Sequence, residues 1–240
     1  MITVNDIGVQ QKKLWNFGDS WAWGFGLNES EKSYARLLCE YNNLDFQDFS
    51  TQGKSLGEIV HVFVTASNMF REGDIALITV PPDTRWYVTP ENGDEVMHSI
   101  SSWTDEYKKF LDLINGSIYW FQWHHSMFLA MMVYHAREKN VKLVMQHNYG
   151  RLDLIPELSF VRDYFVDPDS SMTYWLQGYD NYVCSLEDPN SHHCGPTHHD
   201  FSNKNLFFHN DSHPNQQGHY IIAGNIHRHL TQFHKHEILN

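Results

Sequence analysis

The order of predicted elements along the chain indicates an α/β fold, with helices covering both faces of a parallel sheet. Two compact apolar runs, Asp74–Val80 (DIALITV) and Val141–Gln146 (VKLVMQ), are typical of strands buried on both sides. Longer segments with helical spacing alternate with such runs, which is the pattern of βαβ units. The polar residues considered below follow predicted strands, and α/β folds form their sites at the carboxyl ends of strands.

In the first half of the chain, an apolar strand at Lys13–Phe17 ends at a glycine. Helical spacing over Glu31–Tyr41 precedes an alternating, strand-like stretch at Leu44–Phe49. A helix is predicted to begin at Ser55 and to continue to about Phe70, since Glu58 stands where a capping box needs it. The strand Asp74–Val80 is ended by Pro81 and Pro82.

In the second half, a long helix is predicted from near Trp103 to near Lys139, followed by the strand Val141–Gln146. A final helix runs from near Asn215 to about Phe233, after a possible short strand at Leu206–Phe208. Between them, Asn148–Asn205 is rich in loop-forming residues. We therefore predict one domain over residues 1–240 with a loop-rich insertion at about 148–205.

Composition narrows the possible partners. The 240 residues carry a formal net charge of -12, which disfavours nucleic acid and anionic membranes. Leu113–Ala136 lacks charged residues, but polar side chains interrupt it, so a buried helix is favoured over a membrane-surface helix.

The polar N-terminus shows no signal peptide, and three scattered cysteines make no disulfide framework. We expect an intracellular protein of undetermined oligomeric state.

A candidate nucleophile follows the first strand. Gly18, Asp19 and Ser20 stand at a strand-to-turn junction, where a serine hydroxyl is accessible and its own backbone N–H can help to stabilise an oxyanion. The alternative is an ordinary Asp-Ser turn that caps a helix.

A candidate base lies near the C-terminus. Asp211 stands two residues before His213, and such a pair can orient an imidazole and stabilise its charged form. Pro214 follows, Asn215 can cap the next helix, and a surface loop pair is the alternative.

Together these segments resemble the SGNH/GDSL hydrolase superfamily. Gly18-Asp19-Ser20 matches its first block, and the stretch from His213 to His219 matches its last block (His-Pro-Asn-x-x-Gly-His). The resemblance implies a three-layer α/β/α sandwich with a parallel, flavodoxin-like sheet. It also implies ester hydrolysis through an acyl-serine, without a cofactor, by a Ser20, His213 and Asp211 triad.

Two departures from the family pattern concern the oxyanion hole and the acid. Gly53 stands where the family places an oxyanion glycine, with a plain turn glycine as the alternative. The asparagine of the third block is missing after Val80, and we expect Thr84 or Arg85 to replace its donor. The usual acid position is occupied by Asn210, so a Ser–His dyad remains an alternative to the triad.

A histidine-rich cluster in the predicted insertion is a candidate site for a metal ion. Its irregular spacing fits no standard zinc site, so solvated loop histidines are favoured over a structural metal. The cluster comprises Cys184, His192, His193, Cys194, His198, His199 and Asp200.

The substrate prediction depends on aromatic residues near the nucleophile. Trp21 and Trp23 follow Ser20, while Trp86 and Tyr87 follow the third-block position, and such rings can form a platform for a sugar. We expect Trp21 and Trp86 to bind the substrate, a small acyl ester for which an acetyl ester on a carbohydrate is the favoured form. Two alternatives are an acyltransferase using the same serine and a glycan-binding module without catalysis.

Overall fold

A parallel sheet forms the centre of the molecule. The computed structural model describes residues 11–82, 86–88, 98–100, 109, 118–149, 154–177, 206–208 and 213–237. Among these residues, four parallel strands pair in the order β2-β1-β3-β6. The strands are β1 (Lys13–Phe17), β2 (Asp45–Asp48), β3 (Ile75–Val80) and β6 (Lys142–His147).

Helices cover both faces of this sheet. On one side lie α3 (Leu56–Ala66) and α4 (Ile118–Glu138). On the other side lie α1 (Ser20–Trp23), α2 (Tyr34–Asn42), α5 (Met172–Gln177) and α6 (Gln216–Glu237). The three-layer α/β/α sandwich with a parallel sheet is thus confirmed.

Strand residues alternate between the two cores, as the two-residue period of a strand requires. Trp15, Phe17 and Ile78 pack in the core beneath α3 and α4. Leu14 and Leu77 pack in the opposite core beneath α2 and α6. Because both faces are covered, β3 and β6 have the compact apolar sequences by which they were predicted.

Several helix boundaries in the structure differ from the predicted ones. Ser33 is the N-cap of α2, so this helix begins at Tyr34 and not at Glu31. Ser55 and Glu58 form the predicted capping box of α3. That helix ends at Ala66 and continues only as a short 3₁₀ turn, Ser67–Met69.

Four further elements were not predicted. Residues 86–88 (β4, Trp86–Val88) and 98–100 (β5, His98–Ile100) pair as a small antiparallel sheet. Within the predicted insertion, residues 154–177 contain α5 and a 3₁₀ segment, Pro156–Tyr164. The histidine cluster and the predicted helix start near Trp103 lie outside the described residues.

The uncharged segment forms a helix that is only partly buried. Leu129, Met132 and Val133 of α4 are buried, whereas Trp123 and Tyr134 are 49% and 59% exposed. One face of α4 therefore packs in the core, as expected of a buried helix, whereas the other face is exposed. In the part of the chain that the structure describes, no helix has the length and apolar character needed to cross a bilayer.

Candidate active site

The nucleophile turn, residues 18–20, connects β1 to α1 and packs closely against neighbouring side chains. A Cβ atom on Gly18 would lie 2.5 Å from Cβ of Ala22 and 2.8 Å from Cβ of Thr79, so only glycine fits. Asp19 is the N-cap of α1, and its Oδ1 accepts the backbone N–H of Trp21 at 3.1 Å. Ser20 is the first residue of the helix, so its own N–H has no acceptor within α1.

A buried pair of polar side chains anchors this turn to the end of β6. Asn148 Nδ2 donates to Oδ2 of Asp19 at 2.9 Å, and both residues are fully buried. Trp21 Nε1 donates to the hydroxyl of Tyr149, also at 2.9 Å. The nucleophile turn is thereby bound to the carboxyl end of a strand more than a hundred residues away in sequence.

A second buried amide joins the nucleophile turn to the loop that carries Gly53. Asn16 Nδ2 lies 3.2 Å from the carbonyl of Ala22 and 2.9 Å from Oδ1 of Asp48. The Thr51 N–H donates to the Gly18 carbonyl at 3.2 Å. Gly53 has a φ of +79°, in the left-handed region that favours glycine, and it lies two residues after the Thr51 that bonds to Gly18.

The base candidate meets the nucleophile directly. His213 Nε2 lies 2.8 Å from Ser20 Oγ, although the two residues are 193 positions apart. The His213 ring also packs on Phe25, with the ring centroids 4.6 Å apart. Ser20 is 2% exposed and His213 is half-buried, so His213 is the more accessible member of the pair.

Backbone pairing holds His213 in place. The Phe208 N–H donates to the His213 carbonyl at 3.1 Å, and the Asn215 N–H donates to the Leu206 carbonyl at 2.9 Å. Asn215 then caps α6, because its Oδ1 accepts the N–H groups of Gln217 and Gly218. The histidine is therefore fixed between a short backbone bridge and a capped helix.

Gly218 and His219 explain the rest of the last motif. A Cβ atom on Gly218 would lie 2.5 Å from the Leu206 carbonyl oxygen, so the helix approaches the chain too closely for a side chain. His219 Nδ1 accepts the Tyr34 N–H at 3.2 Å, and its ring stacks on that tyrosine.

Burial keeps His219 neutral. Burial first, and the nearby His213 second, lower the pKa of His219 to about 3. Burial likewise raises the pKa of Tyr34, whose hydroxyl pairs with that of Thr79. These residues form a rigid, uncharged support, and His213 is the histidine that faces the nucleophile.

Some predicted site residues can be compared with the structure and some cannot. Trp21 is 1% exposed and packs in the core, so it offers almost no surface to a substrate, and its role in substrate binding stays a prediction. Trp23, 49% exposed, is the accessible ring next to the nucleophile. Asp211, Thr84 and Arg85 lie outside the described residues, as does the side chain of Trp86, which is on β4.

Sequence reasoning missed Asn16, Phe25 and Asn148 as parts of the site. Asn148 had a usable signal, because it is a polar residue directly after a buried strand. Phe25 had none, since its contact with His213 depends on long-range folding. In the described part of the chain, no group of three His, Cys, Asp or Glu side chains is placed to hold a metal ion.

Comparison with known proteins reveals similarity in structure only. No protein-family model matches the chain, and no curated protein matches it. The psychrotrophic esterase EstA from Pseudoalteromonas sp. is 11% identical, with a TM-score of 0.51, over 93% of this chain and 99% of the esterase. Protein YXIM from Bacillus subtilis is 13% identical, with a TM-score of 0.54, over 93% of this chain and 57% of that protein.

A third solved structure, assigned to the lipolytic G-D-S-L family and from Desulfitobacterium hafniense, has a TM-score of 0.48 at 12% identity, over 91% of this chain and 99% of that one. The two neighbours with TM-scores above 0.5 establish a shared fold. The fold that the resemblance to the SGNH/GDSL superfamily implies is therefore confirmed.

Proposed function

We propose that this protein is a serine hydrolase that cleaves a small acyl ester, with Ser20 as nucleophile and His213 as general base. The observation that carries the proposal is the 2.8 Å contact between His213 Nε2 and Ser20 Oγ. A histidine within hydrogen-bond distance of a serine hydroxyl can remove its proton as the hydroxyl attacks a carbonyl. Ser20 follows the carboxyl end of β1, where this fold forms sites, and His213 reaches it from the segment before α6.

In the first half of the reaction, Ser20 Oγ attacks the ester carbonyl while its proton passes to His213 Nε2. The resulting oxyanion is stabilised by backbone N–H groups, for which the candidates are Ser20 and Gly53. Support comes from the position of Ser20 at the start of α1 and from the Thr51–Gly18 hydrogen bond that holds the Gly53 loop nearby. The intermediate collapses, His213 gives its proton to the departing alcohol, and the acyl group remains on Ser20.

In the second half, His213 takes a proton from water as the water attacks the acyl-serine. The carboxylic acid leaves, and the proton returns to Ser20 Oγ. We assign Asp211 to orient His213 and stabilise its charged form, with Thr84 or Arg85 as a third oxyanion donor.

The acyl group is expected to be small, an acetyl group on a carbohydrate being the form we favour. Ser20 is 2% exposed and Phe25 packs on His213, which leaves little room for a long chain beside the nucleophile. Trp23 supplies an exposed ring for the alcohol portion of such an ester. Transfer of the acyl group to a saccharide hydroxyl would use the same acyl-serine and is separated from hydrolysis by adding a saccharide acceptor.

The test is hydrolysis of p-nitrophenyl acetate by wild type, Ser20→Ala, His213→Ala and the double variant. Each single variant should lose at least about 10³-fold in kcat, and the double variant little more, because the two residues act as a unit. A fluorophosphonate probe followed by intact mass should label wild type and not Ser20→Ala.

Ser67→Ala is the matched control. It removes a hydroxyl that is also 2% exposed but donates to the Val64 carbonyl at the end of α3. Equal activity of wild type and Ser20→Ala would overturn the proposal. An inert, unlabelled wild type that binds saccharides regardless of Ser20 would instead indicate a glycan-binding module.

A further inference from the structure

A cavity lies beside the nucleophile helix, apart from the Ser20–His213 pair. Its volume is about 610 Å³, within the range of sites that hold small molecules. The segment after α1, the exposed side of α2 and Phe46 of β2 line it, whereas Ser20 and His213 do not. The cavity therefore lies next to the reacting groups and does not include them.

A row of aromatic rings leads from this cavity to the base. Trp23, the last residue of α1, lines the cavity and is 49% exposed. Its ring centroid lies 6.3 Å from that of Phe25, which in turn lies 4.6 Å from that of His213. Trp23 and Phe25 thus connect the edge of the cavity to His213 through neighbouring aromatic rings.

Five of the other lining residues are charged, and they carry both signs: Glu29, Glu31, Glu40, Lys32 and Arg36. Lys32 forms an ion pair with Glu40. The Arg36 guanidinium lies over the Phe46 ring, 5.0 Å from its centroid. The charged side chains therefore place hydrogen-bond donors and acceptors around two aromatic rings, those of Trp23 and Phe46.

This lining discriminates between ligand classes. A long alkyl chain would remove water from the charged groups without replacing their hydrogen bonds. A strongly anionic or cationic ligand would meet like charges on part of the wall. A neutral polyhydroxylated ligand can donate to the carboxylates, accept from the cations and place its C–H face on Trp23.

We propose that this cavity binds the saccharide portion of the ester while Ser20 attacks its acyl group. The inference rests on the proposed function, since it assigns the alcohol side of the same substrate. It predicts that Trp23 and Arg36 determine preference for a saccharide ester over a small synthetic ester.

The experiment compares kcat/KM for acetylated xylo-oligosaccharides and glucose pentaacetate with that for p-nitrophenyl acetate. In Trp23→Ala, the ratio of saccharide ester to p-nitrophenyl acetate should fall about tenfold, the effect expected for one lost aromatic contact. Arg36→Gln, on a different element, should lower the same ratio. Trp123→Ala is the matched control, because Trp123 has the same 49% exposure but lies on α4.

Binding is measured separately by titrating the acetylated xylo-oligosaccharides into the Ser20→Ala variant, with and without Trp23→Ala. We expect saturable binding that weakens about tenfold without the ring. If Trp23→Ala lowered both ester activities equally, or shifted only the preference for p-nitrophenyl octanoate over acetate, the saccharide assignment would be wrong although Ser20 remained the nucleophile. If Ser20→Ala kept its esterase activity, the proposed function itself would fail, whatever the cavity bound.

Discussion

The two sides of the Ser20–His213 contact are held by different kinds of interaction. On the nucleophile side, buried side chains bind the turn: Asn148 donates to Asp19, and Asn16 bonds to the carbonyl of Ala22. On the base side, the support is a backbone bridge at Phe207–Pro214 and the cap of α6. Ser20 is thus fixed by long-range polar contacts, whereas His213 is fixed mostly by its own neighbours in sequence.

The difference suggests how each side should respond to change. A buried hydrogen bond to a charged group is expensive to break, because the partner left behind is cut off from water. A short backbone bridge tolerates changes of side chain but not changes that move the backbone itself. Polar substitutions should therefore damage the nucleophile side most, and steric ones the base side.

Asn148→Leu should have the largest effect on stability. It removes one donor of the buried Asp19 carboxylate, so we expect the free energy of unfolding to fall by about 2–3 kcal/mol and kcat for p-nitrophenyl acetate to fall with it. Denaturant unfolding and steady-state kinetics measure the two effects.

Asn42→Leu is the control for that variant, since its amide donates to the carbonyl of Leu38 within α2 at 2.8 Å. Combining Asn148→Leu with Asp19→Asn should recover part of the stability, because the buried charge is gone. An Asn148→Leu protein as stable and active as wild type would show that this anchor does not matter.

Gly218→Ala should damage the base side. The new Cβ would lie 2.5 Å from the Leu206 carbonyl oxygen and 2.9 Å from Cβ of Pro214, so the backbone next to His213 must move. We expect a loss of roughly 1–3 kcal/mol in stability and at least about tenfold in kcat.

Gly224→Ala is the matched control in the same helix, where a Cβ atom meets nothing within 4 Å. That variant should gain about 0.5–1 kcal/mol through higher helix propensity. If the two alanine variants behaved alike, close packing at Gly218 would not explain the glycine of the last motif.

The effect expected to be smallest at neutral pH, and to grow as the pH falls, is a dependence of stability on two buried histidines. Burial first, with His125 second, lowers the pKa of His147 to about 3, and His219 has the same folded-state value. The unfolded chain takes up protons near pH 6.5 while the folded rings stay neutral, so stability must decrease as the pH falls from about 6.5 towards 3.

Each histidine should contribute up to about 1.4 kcal/mol per pH unit in that range. Denaturant unfolding from pH 7.5 to pH 4.5 should show a shallower slope for His219→Gln than for wild type. His61→Gln, which removes an exposed histidine of α3, should keep the wild-type slope.

The sequence by itself determined the features that depend on neighbouring residues. Strands β3 and β6 were predictable because burial on both faces requires continuous apolar residues. Ser20 and His213 were predictable because a strand-to-helix turn and a helix cap each need particular residues within a few positions. Resemblance to a known family then joined the two distant segments.

Only the tertiary structure decided which side chains meet across the sheet. The bond between Asn148 and Asp19 spans 129 positions, and no local pattern encodes such a pairing. Local sequence also could not separate Trp21 from Trp23, two residues apart in one short helix, because burial depends on what packs against each face. The fold buries Trp21 against Tyr149 and leaves Trp23 open to the cavity, and this burial distinguishes a core residue from a candidate binding residue.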